Sequence, residues 1–180
     1  MHMRKSDEAL ARKAANGNRK AFAALLERHY DRLFAFAFRI TGSRVDAEDL
    51  TQDICAALPA KLGSFRGESR FSTWLYRVAI NAAHDQRRRA ETRAKAADGW
   101  GDWEVNRRAS VSETRQALDW LAQTMKDLPG DLRDTVALTL GEELTQKDAA
   151  QLLGVSEGTI AWRMSMVRNL LRKKHEEETL

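Results

Sequence analysis

A single cysteine, Cys55, rules out an internal disulfide, and no second cysteine or histidine cluster stands near it to complete a metal site. Flanked by Ile54 and Leu58 in a helical pattern, it reads as a plain buried thiol, and a reducing cytoplasm suits this cysteine usage. Only two prolines and ten glycines occur among 180 residues, so little interrupts the helix formers that dominate the chain. The longest apolar stretch, residues 33–38, falls far short of the roughly 18 residues needed to cross a bilayer. The first 15 residues are charged and lack the apolar centre of a secretion signal. The expectation is a cytoplasmic protein with no membrane contact. There is also no phosphate-binding glycine loop, and the helical carboxylates Glu48, Asp49 and Asp53 have no histidine partner in sequence. No catalytic residue, metal or cofactor is expected, and the chain does not read as an enzyme.

With 43% hydrophobic and 31% charged residues, the chain has enough apolar material for a core and lacks the signature of disorder. A net charge of +4 favours an anionic partner without requiring one. Helical spacing of Phe22, Leu25, Leu26, Leu33, Phe34, Ala37 and Ile40 predicts one long amphipathic helix stopped by Gly42. A second begins near Asp46 and meets Pro59, which should end or kink it. A third, from about Ser72 to Arg89, carries two stripes. Phe71, Leu75, Val78 and Ala82 suit a core, while Trp74, Arg77, Asn81, His84 and Arg88 form a second face free to bind. The pattern then dissolves into a polar stretch with Gly99 and Gly101, read as a linker in which Trp100 and Trp103 are unusual. Periodicity resumes with Leu118, Leu121, Met125 and Leu128, breaks at Pro129-Gly130, and continues through Leu132, Val136 and Leu140 to Gly141. Thr145 is placed to cap a short helix, Gly154 to make a turn, and Ser156 to cap a last helix with Ile160, Met164, Val167 and Leu171 inside. Helix, glycine turn and helix is the helix-turn-helix pattern. The fold class expected is all-α: two small helical domains, 1–90 and 113–180, joined by a flexible linker, 91–112, with the helix-turn-helix in the second.

Two blocks carry the functional signal. Residues 145–171 suit DNA binding, although three-helix units of this kind also serve in pure protein contacts. In FRGESRFSTWLYR (residues 65–77) aromatics alternate with arginines at a loop-to-helix junction, which suits stacking on unpaired bases beside phosphate contacts. Phe71, Leu75 and Tyr76 suit core packing equally well, and the basic run through Arg87, Arg88, Arg89, Arg93 and Lys95 is either a phosphate track or a solvated helix end.

Taken together, DAEDLTQD (46–53), FRG (65–67) with FSTWLYRVAIN (71–81), Leu128-Pro129, and AA through GVSEGTI (149–160) resemble, in order, the segments of the bacterial extracytoplasmic-function (ECF) sigma factors. The resemblance spans nearly the whole chain. It implies a factor that binds core RNA polymerase through Asp46, Glu48, Asp49, Gln52 and Asp53 and directs promoter-specific initiation. It implies recognition and melting of the minus-ten element by Phe65, Arg66, Ser69, Phe71, Ser72, Trp74, Arg77, Asn81 and Arg88. The minus-thirty-five element would meet Ser156, Glu157, Thr159, Trp162, Arg163, Met166 and Arg168 in a major groove. An anti-sigma factor is the further partner the resemblance implies. Ala161 and Met166 stand where many relatives carry basic residues, and Trp162 where a small one is commoner. The resulting Trp162–Met166 patch suits thymine methyls or an inhibitory protein. A repressor or activator that binds closed duplex without polymerase-dependent melting is the competing reading. It leaves the acidic helix and the aromatic-arginine block without a role.

Overall fold

The computed structural model describes residues 6–96, 113–140 and 144–178. Among them stand eight α-helices and no strand: α1 (Asp7–Ala15), α2 (Arg19–Thr41), α3 (Arg44–Lys61), α4 (Phe71–Ala96), α5 (Glu113–Asp127), α6 (Gly130–Thr139), α7 (Gln146–Leu153) and α8 (Glu157–Glu178). Local chemistry sets most of the ends. Asn18 accepts the Ala21 N–H at 2.9 Å to start α2, and Ser43 caps α3. Gly42 closes α2 at φ +63°, and a side chain there would also collide with the Ala122 carbonyl of α5 at 2.7 Å. Pro59 does not stop α3 at once; the helix runs on to Lys61 before a single 3-10 turn, Leu62–Ser64. Of the expected linker, residues 91–96 instead continue α4 as helix, because no breaker interrupts them, and residues 97–112 lie outside the described residues, Trp100 and Trp103 with them.

The core is built around α2, which packs against α1, α3, α4, α5 and α6. Its buried face, Leu25, Leu33, Phe36, Ala37 and Ile40, meets Leu50, Ile54 and Leu58 of α3 and Leu75, Ala79 and Ile80 of α4. Phe36 is fully buried, with its ring edge-on to Tyr76 at a centroid distance of 5.3 Å. Each such aromatic or branched side chain contributes about 1.5–3 kcal/mol of burial. This face is why the 22–40 periodicity was so readable.

The C-terminal helices pack against this core. Ala137, Leu138, Leu144, Ala149, Ala150 and Ile160 join the same apolar cluster, while Met125, Leu128, Leu132, Val136 and Val167 form a second, smaller one. Polar contacts reinforce the docking of α6. Arg39 Nε donates to the Ala137 carbonyl at 3.3 Å, and Asp134 receives both His84 and Arg87 of α4 at 2.7 Å. Two members of the apolar period, Leu118 and Leu140, are exposed. Leu140 follows the last residue of α6, and Leu118 lies on a turn of α5 before its buried residues Thr124 and Met125.

Candidate polymerase and nucleic-acid interface

On α3, Asp49, Gln52 and Asp53 are exposed and share one face, because spacings of three and four residues return to the same side of a helix. They form one wall of an open groove of about 510 Å³ whose other wall is α4, with Gln86, Arg89 and Arg93. The groove carries Asp49 and Asp53 with Lys61 on the α3 side and Arg89 and Arg93 with Asp85 on the α4 side, over an apolar floor of Leu50, Ile54 and Val78. The other two acidic candidates lie apart from it. Glu48 accepts Arg44 Nε at 3.0 Å, and Asp46 lines a neighbouring cavity with Arg87 and Arg133.

The second element is the turn from the 3-10 segment into α4. Gly67 adopts φ +75°, a left-handed conformation that glycine takes without strain, and leaves Arg66, Glu68, Ser69 and Arg70 exposed around it. Behind them three rings make a triangle. Phe65 and Phe71 are 5.6 Å apart, Phe65 and Trp74 5.5 Å, Phe71 and Trp74 5.7 Å. Phe71 is buried at its base, so it is corrected from a DNA-facing residue to the support of the loop. Phe65, Ser72 and Trp74 are half-buried and keep part of their surface outside. Arg77, Asn81 and Arg88 are exposed further along α4, with Arg88 paired to Asp85. The predicted free face is not wholly free: His84, one of its members, is bonded to Asp134.

The third element is the helix-turn-helix. Thr145 and Asp148 form a reciprocal capping box at the start of α7, and the hydrogen bonds from Thr145 hold the Asp148 carboxyl below the ordinary carboxylate range. Gly154 ends α7 at φ +66°, Ser156 Oγ accepts the Thr159 N–H at 3.1 Å, and fully buried Ile160 anchors α8. Along α8, Trp162, Met166 and Leu170 recur every four residues and are exposed, Trp162 by 59%. Glu157 and Arg168 are exposed with them. Arg163, half-buried, pairs with Asp131 of α6 at 3.3 Å.

Two contacts had no signature in the sequence reading. One is the Asp134 link between α6 and α4, whose partners lie 47 and 50 residues away. The other is α1 itself, which reaches α2 and α4 through Asp7 and Glu8. Its buried residues are Leu10, Ala11 and Ala14, too short a pattern to register as a period.

Comparison with known proteins places this geometry. The sigma-70 region 2 profile matches residues 25–93, which spans most of α2 and all of α3. The chain is 32% identical to the ECF RNA polymerase sigma factor SigM of Mycobacterium tuberculosis, over 96% of this chain and 85% of that one. It is 29% identical to the ECF RNA polymerase sigma-E factor of Haemophilus influenzae, over 94% and 95%. Among solved structures, CnrH in complex with the cytosolic domain of CnrY matches with a TM-score of 0.73 at 27% identity, over 96% of this chain and 99% of that one. The sigma factor RpoE bound to the anti-sigma factor NepR from Bartonella quintana matches with a TM-score of 0.71 at 27% identity, over 86% and 96%. The chain belongs to the extracytoplasmic-function RNA polymerase sigma factors of the sigma-70 family.

Proposed function

We propose that this protein is an alternative sigma factor that binds core RNA polymerase, opens the minus-ten element of its promoters and reads the minus-thirty-five element in duplex form. Residues 1–90 act as the polymerase-binding and melting domain, 91–112 as the linker, and 113–180 as the duplex-reading domain. The observation that carries the reading is one chain holding, in order, an acidic face on α3 beside a groove, an aromatic-arginine turn into α4, and a capped helix-turn-helix. A duplex-only regulator has no use for the first two.

Asp49, Gln52 and Asp53 dock on the polymerase, with Asp46 and Glu48 at the edge of that contact. Arg66, Ser69, Arg77 and Arg88 contact the backbone of the opened strand, and Phe65, Ser72 and Trp74 frame the place where an unstacked base is held. Asn81 offers that base both a donor and an acceptor. In the minus-thirty-five duplex Ser156, Glu157 and Thr159 lie at the helix end that enters the groove, Trp162 and Met166 make apolar contact with base edges, and Arg168 binds phosphate. An anti-sigma factor is the regulatory partner, a reading supported by the two complexes among the similar structures. The protein works in the cytoplasm, beside the polymerase.

Reconstitution with core RNA polymerase tests the reading. Promoters selected from random duplex DNA by the holoenzyme should show permanganate-reactive thymines near minus ten, and N81A should reduce that reactivity more than it reduces promoter binding. Duplex binding without a polymerase-dependent start would support the repressor reading instead.

A further inference from the structure

We propose that α1 is the splint that sets the melting turn, with Glu8 and Asp7 as positioning residues for strand opening. The inference rests on the reading of residues 65–72 as the melting segment. The first amides of any helix lack partners within it, and a side chain just before the helix usually supplies an acceptor. Before α4 that residue is Arg70, which has no acceptor to give. The Phe71 N–H donates instead to Glu8 Oε1, at 3.3 Å and across 63 residues of sequence. Glu8 thus caps α4 from another helix.

Asp7 braces the same place from beneath. It receives Arg28 at 2.5 Å and His29 Nε2 at 2.8 Å. His29 is buried, and its ring lies edge-on to Phe71 with centroids 5.2 Å apart. Phe71 in turn carries Phe65 and Trp74, the rings that frame the turn. A chain of contacts therefore runs from both carboxylates of α1, through the backbone and ring of Phe71, to the strand-capturing surface. Acidic residues in a first turn commonly do no more than oppose their own helix dipole. Here both carboxylates reach across to other helices. Burial opposes the ionisation of Asp7, but its hydrogen bonds from Arg28 and His29 outweigh this and lower its pKa. Glu8 is held low by its own backbone N–H and, against burial, by that of Phe71. Both groups are carboxylates at neutral pH. Neither lies within residues 25–93, the part matched by the region 2 profile.

The test uses the full chain as wild type, E8A, E8Q and D7N, with core RNA polymerase and a promoter selected by the wild-type holoenzyme. Three readouts separate the outcomes: exchange of the Phe71 amide in the free protein by NMR, core affinity, and permanganate reactivity on duplex DNA and on a template already mismatched at minus ten. E8A should speed Phe71 exchange and cut duplex opening, each on the order of tenfold, the equivalent of one lost helix cap. It should leave core affinity unchanged, and the mismatched template should recover most of the opening. E8Q, which keeps the accepting oxygen, should restore both exchange and opening, and D7N should fall between. Unchanged Phe71 exchange in E8A would overturn the splint. Faster exchange with normal opening would keep the contact but remove residues 65–72 from melting, so the failure would lie in the underlying reading. Equal losses of core affinity and opening in E8A and E8Q would make Glu8 a purely structural residue and also overturn the proposal.

Discussion

Replacing Asp134 with Asn should loosen the docking of α6 on α4. The carboxylate keeps only 8% of its surface exposed and binds two side chains at once, His84 Nε2 and Arg87 Nη2, each at 2.7 Å. An amide has one accepting oxygen and cannot serve both donors as a charged group. Two charge-assisted hydrogen bonds would be worth about 1.5–3 kcal/mol apiece if fully buried. His84 and Arg87, however, keep 42% and 32% of their side-chain surfaces exposed, so water takes over part of what is lost. The net cost is about 2 kcal/mol, or roughly 30-fold in the ratio of docked to undocked molecules. The assay is single-molecule energy transfer between dyes on K61C and N169C in a C55S background, with a double-mutant cycle against R87A. The docked population should fall in D134N, and D134N with R87A should cost less than the sum of the two. An unchanged distance distribution together with strict additivity would refute the claim that this ion pair holds the two parts together.

Reversing D49K and D53K should weaken binding to core polymerase while leaving the circular dichroism spectrum intact, because both side chains are exposed and neither packs in the core; unchanged affinity would make the face merely solvated. W162A with M166A should cost on the order of 1–3 kcal/mol of promoter affinity at one or two base pairs with little change in salt slope, as apolar base contact predicts. Loss of anti-sigma binding with promoter affinity intact would instead assign the patch to protein, and the exposure of both residues means thermal stability should hardly move. Asp7, Glu8 and Asp148 all ionise more readily in the folded chain than at their ordinary values of 3.8, 4.5 and 3.8. Their stabilisation is therefore complete above those ordinary values and is lost as pH falls through the lower folded ones. Melting temperatures of D7N/E8Q/D148N should accordingly lose part of the wild-type decline below about pH 4.5, the ordinary Glu8 value.

The parts of the molecule that were legible in sequence are those whose causes are local. The periodic face of α2, the stop at Gly42, the capping by Thr145 and Ser156 and the left-handed turn at Gly154 all depend on residues within a few positions of one another. Trp162 and Met166 could be placed outside for the same reason, by turning a helix about Ile160. What escaped depends on distance along the chain. Nothing near Asp134 announces His84 and Arg87, and nothing near Glu8 announces the amide of Phe71. Arg163 reads in sequence as a phosphate contact because basic residues on a recognition helix usually are; only the packing of α6 against α8 reveals Asp131 as its partner. Phe71 was ambiguous for a different reason, since an aromatic at a loop-to-helix junction serves equally as a stacking platform or a wedge in the core. Its burial against His29 resolves that choice.

The central claim is that this chain opens promoter DNA only as part of a polymerase. The direct measurement is permanganate reactivity of thymines in a selected duplex promoter, compared for the purified chain alone, core RNA polymerase alone and the two together. Reactivity near minus ten should appear only in the mixture and should fall when Asp49 and Asp53 are reversed. Protection of the duplex by the chain alone, with no reactive thymines and no transcript on adding polymerase, would contradict the account.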